Sequence, residues 1–125
     1  MNTKQLSIFL ENRVGRTKEV IEILSKEGIN ILAFTIADSA EFGILRLIVS
    51  DEEKALNLLK NAHISVIPTD VLWIEIDDKV GALVETLSKL EKNNISIEYM
   101  YICHCNNKPY IVIRPIDMDK CKGVF

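Results

Sequence analysis

The sequence is poor in cysteine, histidine, proline and aromatic residues, and it has no long apolar run. Of its 125 residues, three are cysteine (Cys103, Cys105, Cys121) and 6% are aromatic. An odd number of cysteines, all in the last quarter, excludes a disulfide framework and fits a reducing compartment, so a cytoplasmic protein is expected. No stretch approaches the ~18 apolar residues of a membrane-spanning helix, and Met1 to Gln5 holds no signal-like apolar segment. Positive charge is also in deficit. Fifteen Lys and Arg stand against 18 Asp and Glu, a net charge of -3, which argues against binding a nucleic-acid backbone. No Ser/His/Asp set, phosphate loop or dinucleotide fingerprint is present. Neither an enzyme nor a cofactor is expected, and neither a nucleic acid nor a membrane is expected as partner.

What the sequence does have is 48% hydrophobic residues in a pattern that repeats. A gapless shift of 66 positions places Leu6 on Leu72, Ile8 on Ile74, Leu24 on Leu90, Ile29 on Ile95 and Asp51 on Asp117. It also pairs Glu11-Asn12-Arg13-Val14-Gly15 with Asp77-Asp78-Lys79-Val80-Gly81. Two apolar-rich halves match by chance at core positions far more readily than along a whole loop.

Within the first copy, residues 5–10 alternate with period two, as a half-buried strand does. From Thr17 the apolar positions 20, 21 and 24 recur at helical spacing, and Gly28 falls where a left-handed helix cap is expected, with Asn94 as its counterpart. Residues 30–37 and 44–49 read as strands around turn residues Ser39 to Gly43. Ser50-Asp51-Glu52-Glu53 reads as a capping box for a second helix with Ala55, Leu58, Leu59 and Ala62 inward. Ile64 to Ile67 reads as a fourth strand closed by Pro68. The order β-α-β-β-α-β is the ferredoxin-like plan of an α+β protein. The second copy offers a strand at 71–76, a helix near 82–93 and strands near 95–103 and 110–114. The expectation is therefore two tandem units, residues 1–68 and 69–125, the second truncated after its third strand and lacking a full second helix and fourth strand.

These residues resemble the ACT domain family, and the tandem order resembles its stand-alone pairs. The resemblance rests on Leu6 to Gly15 with Glu27-Gly-Ile-Asn-Ile31, and on Trp73 to Leu83 with Asn93-Asn-Ile-Ser-Ile97. It implies a regulatory protein that senses an amino acid or related metabolite and modulates a metabolic enzyme. The alternative it leaves open is a ligand-free regulatory subunit or scaffold of a biosynthetic enzyme such as acetolactate synthase. It implies a ligand site at the loop after the first strand and at the start of the second strand. The matching positions are Asn12, Arg13, Val14, Gly15 and Asn30 in the first unit. In the second they are Asp78, Lys79, Val80, Gly81 and Ser96. Serine-sensing members carry a His just before the loop; Leu10 stands there, so serine is not supported.

The chemistry of these residue types suits an amino acid. A helix start offers unpaired N–H groups to a carboxylate. Gly15 and Gly81 admit close backbone approach. Asn12 and Asn30 can both donate and accept, and Arg13 and Lys79 can pair with a carboxylate. Each also has a plainer reading: tight-turn glycines, an Asn cap, a strand-edge Asn, a solvated loop cation. Cys103-His104-Cys105 reads as strand and hairpin residues rather than a metal site, since a strand splits the trio between two faces, and His63 reads as a partner for a helix C-terminus. Finally, Phe9, Ile44, Ile48, Val71, Trp73, Tyr110 and Val112 fall on the sheet face away from the helices. That face is apolar enough to predict cover, by a homodimer packed across it or by an enzyme that the module regulates, the plainer reading being loops of the same chain.

Overall fold

The computed structural model describes residues 2–11, 13–38 and 42–125. The elements follow in the order β1 (Asn2–Glu11), α1 (Arg16–Lys26), β2 (Ile31–Asp38), β3 (Phe42–Val49), α2 (Glu52–Asn61), β4 (Ser65–Glu75), α3 (Ala82–Lys92), β5 (Ile97–Cys105), β6 (Lys108–Pro115) and α4 (Met118–Val124). Two compact units form, Lys4–Thr69 and Asp70–Phe125, the latter joined by the first residues of β1.

In the first unit the strands lie in the order β2-β3-β1-β4. β1 runs antiparallel to β3, with Leu6 opposite Leu47 and Ile8 opposite Leu45, and β3 runs antiparallel to β2. Facing partners share a side of the sheet, so alternate residues of β1 and β3 build one wall of a core. Leu6, Ile8, Leu10, Leu45 and Leu47 close on Val20 and Leu24 of α1 and Ala55 and Leu59 of α2. Each of the leucines, Ile8 and Val20 contributes about 1.5–3 kcal/mol on burial. Ala62, expected inward, is exposed just past the end of α2. In the second unit the order is β4-β6-β5, and Leu72, Ile74, Leu90, Ile95, Ile111, Ile113 and Cys121 form the matching core.

Three boundaries differ from those read in the sequence. The strands read at 64–67 and 71–76 fall together in one strand, β4 (Ser65–Glu75), which passes straight through Pro68. Extended backbone is what proline and the residue before it adopt, so the ring continues the strand instead of closing it. Helix α2 is capped by Asp51, whose side chain accepts from the Lys54 N–H at 3.1 Å. Ser50, expected to open the capping box, uses its hydroxyl to accept from the Asn30 N–H at 3.0 Å. The second unit does not stop after its third strand. Asp117 accepts from the Lys120 N–H at 3.1 Å and starts α4, seven residues long against ten in α2. Cys121 fills the core position of Ala55. The turn read at Ser39 to Gly43 lies outside the described residues at 39–41.

Three helices end in the same way. Past α1, α2 and α3 come Gly28, His63 and Asn94, with φ of 75°, 59° and 52°. In each case the N–H of this left-handed residue and that of the apolar residue after it bond back to the helix: Ile29, Ile64 and Ile95 donate to Leu24, Leu59 and Leu90 at 3.1, 3.0 and 3.0 Å. This is the Schellman pattern with its apolar contact, here between buried residues. His63 thus serves the end of α2 through its own backbone. The sheet face expected to be bare is also different. Ile48, Val71, Trp73 and Val112 are buried within the single chain, Trp73 at 9% exposure and tilted against Tyr110 at 5.4 Å. A second copy is not needed to cover them; of that set only Phe9, at 42%, counts among the exposed large side chains.

His63 occupies a conformation that costs a non-glycine residue about 1–2 kcal/mol, partly offset by the entropy glycine loses on folding. His63→Gly should therefore raise stability by about 0.5 kcal/mol in urea unfolding, whereas Gly28→Val should lower it by about 1 kcal/mol or more.

Candidate functional site

At their described positions, Glu11 with Arg13 to Arg16 and Asp77 with Lys79 to Ala82, the two repeated loops share their backbone hydrogen bonds. Arg13 N–H donates to the Glu11 carbonyl and Lys79 N–H to that of Asp77, both at 3.0 Å. Gly15 and Gly81 then take φ of 84° and 91° at the helix N-caps. A Cβ at either would meet nothing within 4 Å, so what requires glycine is the left-handed backbone and not crowding. Among the described residues no side chain caps α1 or α3, whereas α2 and α4 have Asp51 and Asp117. Among those residues, the helix starts at the two loops are therefore the ones whose first-turn N–H groups stay open. Val14 and Val80 stand at the loop tips fully exposed, at 100% and 103%.

The loop cations are already engaged. Arg13 reaches Glu19 at 3.3 Å and Glu11 at 3.5 Å, and Arg16 reaches the same two carboxylates at 3.0 and 3.5 Å. Hydrogen bonds from Arg16 and then Arg13 hold the Glu19 carboxyl below its ordinary value. In the second loop Lys79 alone faces Asp77 and Glu85, at 3.8 and 3.9 Å; Ala82 stands where Arg16 does. Glu19 and Arg16 are not among the site residues that the sequence suggests. The signal was available, since Glu19 and Glu85 match in the repeat.

Of the residues expected at the site, Asn12 lies outside the described residues. Arg13, Val14 and Gly15 sit together in the first loop, and Asp78, Lys79, Val80 and Gly81 in the second, all exposed. Asn30 and Ser96 are exposed as well, just before β2 and β5. Asn30 is fixed by its main chain, which donates to the Ser50 hydroxyl and accepts from the Ser50 N–H at 3.0 Å. Ser96 accepts likewise from the Ile116 N–H at 2.9 Å. The structure does not bring these residues to the loop of their own unit. The eleven residues of α1, about 16 Å of helix, lie between Gly15 and Asn30.

Cys103, His104 and Cys105 lie on β5, opposite Tyr110, Pro109 and Lys108. A two-residue turn of Asn106 and Asn107, at φ of 54° and 63°, joins β5 to β6 as a type I′ hairpin. Burial pushes the Cys103 and Cys121 thiols up, with Cys105 adding to the shift at Cys103. Neither forms a disulfide, and a raised value favours the protonated thiol over the nucleophilic thiolate. Among the described residues no group of three or more His, Cys, Asp or Glu is placed to hold a metal ion, and no helix is long and apolar enough to cross a membrane.

Two α+β units with matching loops, caps and cores define a tandem-repeat protein of the ferredoxin-like class. The whole chain, residues 1–125, matches the ACT domain pair family, and it belongs to that family. The crystal structure of protein BT0572 from Bacteroides thetaiotaomicron is 52% identical and superimposes with a TM-score of 0.92, covering 99% of this chain and 86% of that one. The ligand-free regulatory subunit of aspartate kinase from Thermus thermophilus shares the fold, with 13% identity, a TM-score of 0.67 and coverage of 99% and 90%. A comparison with curated proteins found no match.

Two outcomes test the loop. Gly15→Ala should cost about 1–2 kcal/mol in unfolding measurements despite the open space around it. The Glu19 carboxyl should titrate below 4.5 by NMR and move back toward that value in Arg16→Gln. A lowered carboxylate value means that the Glu19 pairing stabilises the fold above its unfolded value and is lost as pH falls through the folded one.

Proposed function

We propose that this protein is a non-catalytic regulatory module that binds an amino acid or closely related metabolite and, through that binding, modulates a metabolic enzyme. The observation that carries the reading is the pair of uncapped helix starts at Gly15 and Gly81 in a chain that belongs throughout to the ACT domain pair family. An amino acid needs donors for its carboxylate and acceptors for its ammonium. The open N–H groups at Thr17 and Lys18, or at Leu83 and Val84, supply the first, aided by the helix dipole. The Asn30 side chain and the Asn12 side chain are the acceptors. Arg13 and Lys79 act mainly to hold the loop, because Glu19, Glu11, Glu85 and Asp77 already neutralise them.

The length of α1 constrains how such a site is assembled. One small ligand, well under 10 Å long, does not span the loop and Asn30 of one copy. In this proposal the loop of one copy and the start of β2 of a second copy close on the ligand, so the binding state is a homodimer and ligand shifts the association equilibrium. The exposed Val14 at the loop tip then gains cover.

Melting the protein with each of the twenty amino acids tests the reading. A ligand at a hundred times its Kd stabilises the native state by about 2.7 kcal/mol, a rise of several degrees. One or a few amino acids should give it, Asn30→Ala and Asn12→Ala should remove most of it, and the shift should grow with protein concentration. No shift with any amino acid, together with tight co-purification with an enzyme, would instead identify a ligand-free regulatory subunit.

A further inference from the structure

Helix α3 carries an apolar stripe that the chain leaves uncovered. Leu83, Val84 and Leu87 fall at i, i+1 and i+4, on one side of the helix, and are 39%, 65% and 37% exposed. The residues of α3 that enter the core are Ala82, Thr86 and Leu90, so the stripe lies beside the buried face. On the other flank Lys89 sits over the ring of Phe125, just past α4, at 5.2 Å. The stripe therefore points away from α4, the helix that packs with α3.

The repeat shows that the fold does not demand this stripe. The matching positions of α1 are Thr17, Lys18 and Ile21, two of them polar, as the solvent side of a helix usually is. Single exposed apolar residues are ordinary, but neighbouring ones mark a surface that associates.

Charge on the same side says what the stripe associates with. Glu91 follows Leu87 by four residues and stands in the last turn of α3, where the helix dipole disfavours an acid. Its counterpart in α1 is Ser25. Lys89 and Lys92 share that turn, but neighbours at two residues and one residue along a helix do not face each other. Among the described residues the Glu91 side chain has no ion-pair or hydrogen-bond partner. At the opposite end of the stripe is Lys79, half exposed, with Asp77 and Glu85 no closer than 3.8 and 3.9 Å. Along α3 the order is thus base, hydrocarbon, acid. A second copy laid antiparallel matches that order at both ends, whereas a parallel copy sets Lys79 against Lys79 and Glu91 against Glu91.

We propose that α3 is an interface between two copies of this chain, packed antiparallel about a two-fold axis. Leu83, Val84 and Leu87 of the two copies cover one another, and Glu91 of each reaches Lys79 of the other. One patch serving both copies is what a two-fold contact requires. From Leu83 to Glu91 the stripe is about 12 Å long, so helices crossing at about 20° keep both ends within reach of a lysine. A contact through one helix face is small, which makes the dimer reversible and dependent on concentration. It belongs to the second unit, needs no amino acid, and is separate from the ligand-closed contact proposed at Gly15 and Asn30.

Sedimentation velocity of the full chain without added amino acids, over a series of protein concentrations, tests this. A monomer–dimer equilibrium is expected. Val84→Lys, at a position open enough to accept the lysine, should weaken the dimer about tenfold or more and leave the far-ultraviolet circular dichroism unchanged. Glu91→Lys and Lys79→Glu should each weaken it several-fold. An equimolar mixture of those two variants should regain association, because each end of the mixed dimer again joins an acid to a base; loss of folding cannot produce that recovery. The proposal is overturned if the chain stays monomeric throughout, including a monomer whose stripe receives a different protein, if the dimer withstands Val84→Lys, or if the mixture associates no better than either variant alone.

Discussion

The turn from first strand into first helix is made through left-handed backbone at Gly15 and again at Gly81, with φ of 84° and 91°. That single conformation fixes three things at once. It swings α1 and α3 back over the sheet, so that Val20 and Leu24, or Leu90, reach the core. It places the N-cap on a residue with no side chain, which leaves the first-turn N–H groups uncapped. And it projects the preceding valine fully into solvent. An Asp or Ser at an extended N-cap betters glycine by about a few tenths of a kcal/mol, and the chain uses that device at α2 and α4, where Asp51 and Asp117 are extended and not left-handed. Its omission at the two loops is therefore specific to them.

The two units share this frame and differ in how they are finished. The first loop is braced by two arginines and two glutamates, the second by one lysine and two more distant acids. Exposed pairs of this type contribute little to stability; their effect is to hold loop geometry. Below the loops, Met118 replaces Glu52 and Cys121 replaces Ala55, so the second core is more uniformly apolar while the first carries a carboxylate at its margin.

Much of the architecture was legible because periodicity and repeat reinforce each other. Leu6, Ile8 and Leu10 alternate, Gly28 and Asn94 mark equivalent caps, and the 66-residue register aligns the loops. What was not legible depends on contacts distant in sequence. Nothing local says that Pro68 sits within a strand, since proline suits both an end and an extended run. Nothing local says that Ile48, Val71, Trp73 and Val112 are buried within one chain, because an apolar strand face reads the same whether its cover is internal or external. The hairpin at Asn106-Asn107 carried a legible signal, two residues tolerant of positive φ. Arg13 looked free because its partner Glu19 is six residues away on the next element. The separation of Asn30 from its own loop follows from helix length alone and bears directly on the site.

The most direct test of the central claim, that the uncapped helix start and the entry to β2 receive one ligand together, is an amide NMR titration. The amino acid giving the largest thermal shift would be added to the protein at dimer-forming concentration. The account predicts that the amides of Gly15 to Lys18, or their counterparts Gly81 to Val84, move along one binding curve with those of Asn30 or Ser96. Movement confined to other parts of the chain, or loops and strand entries titrating with different midpoints, would contradict it.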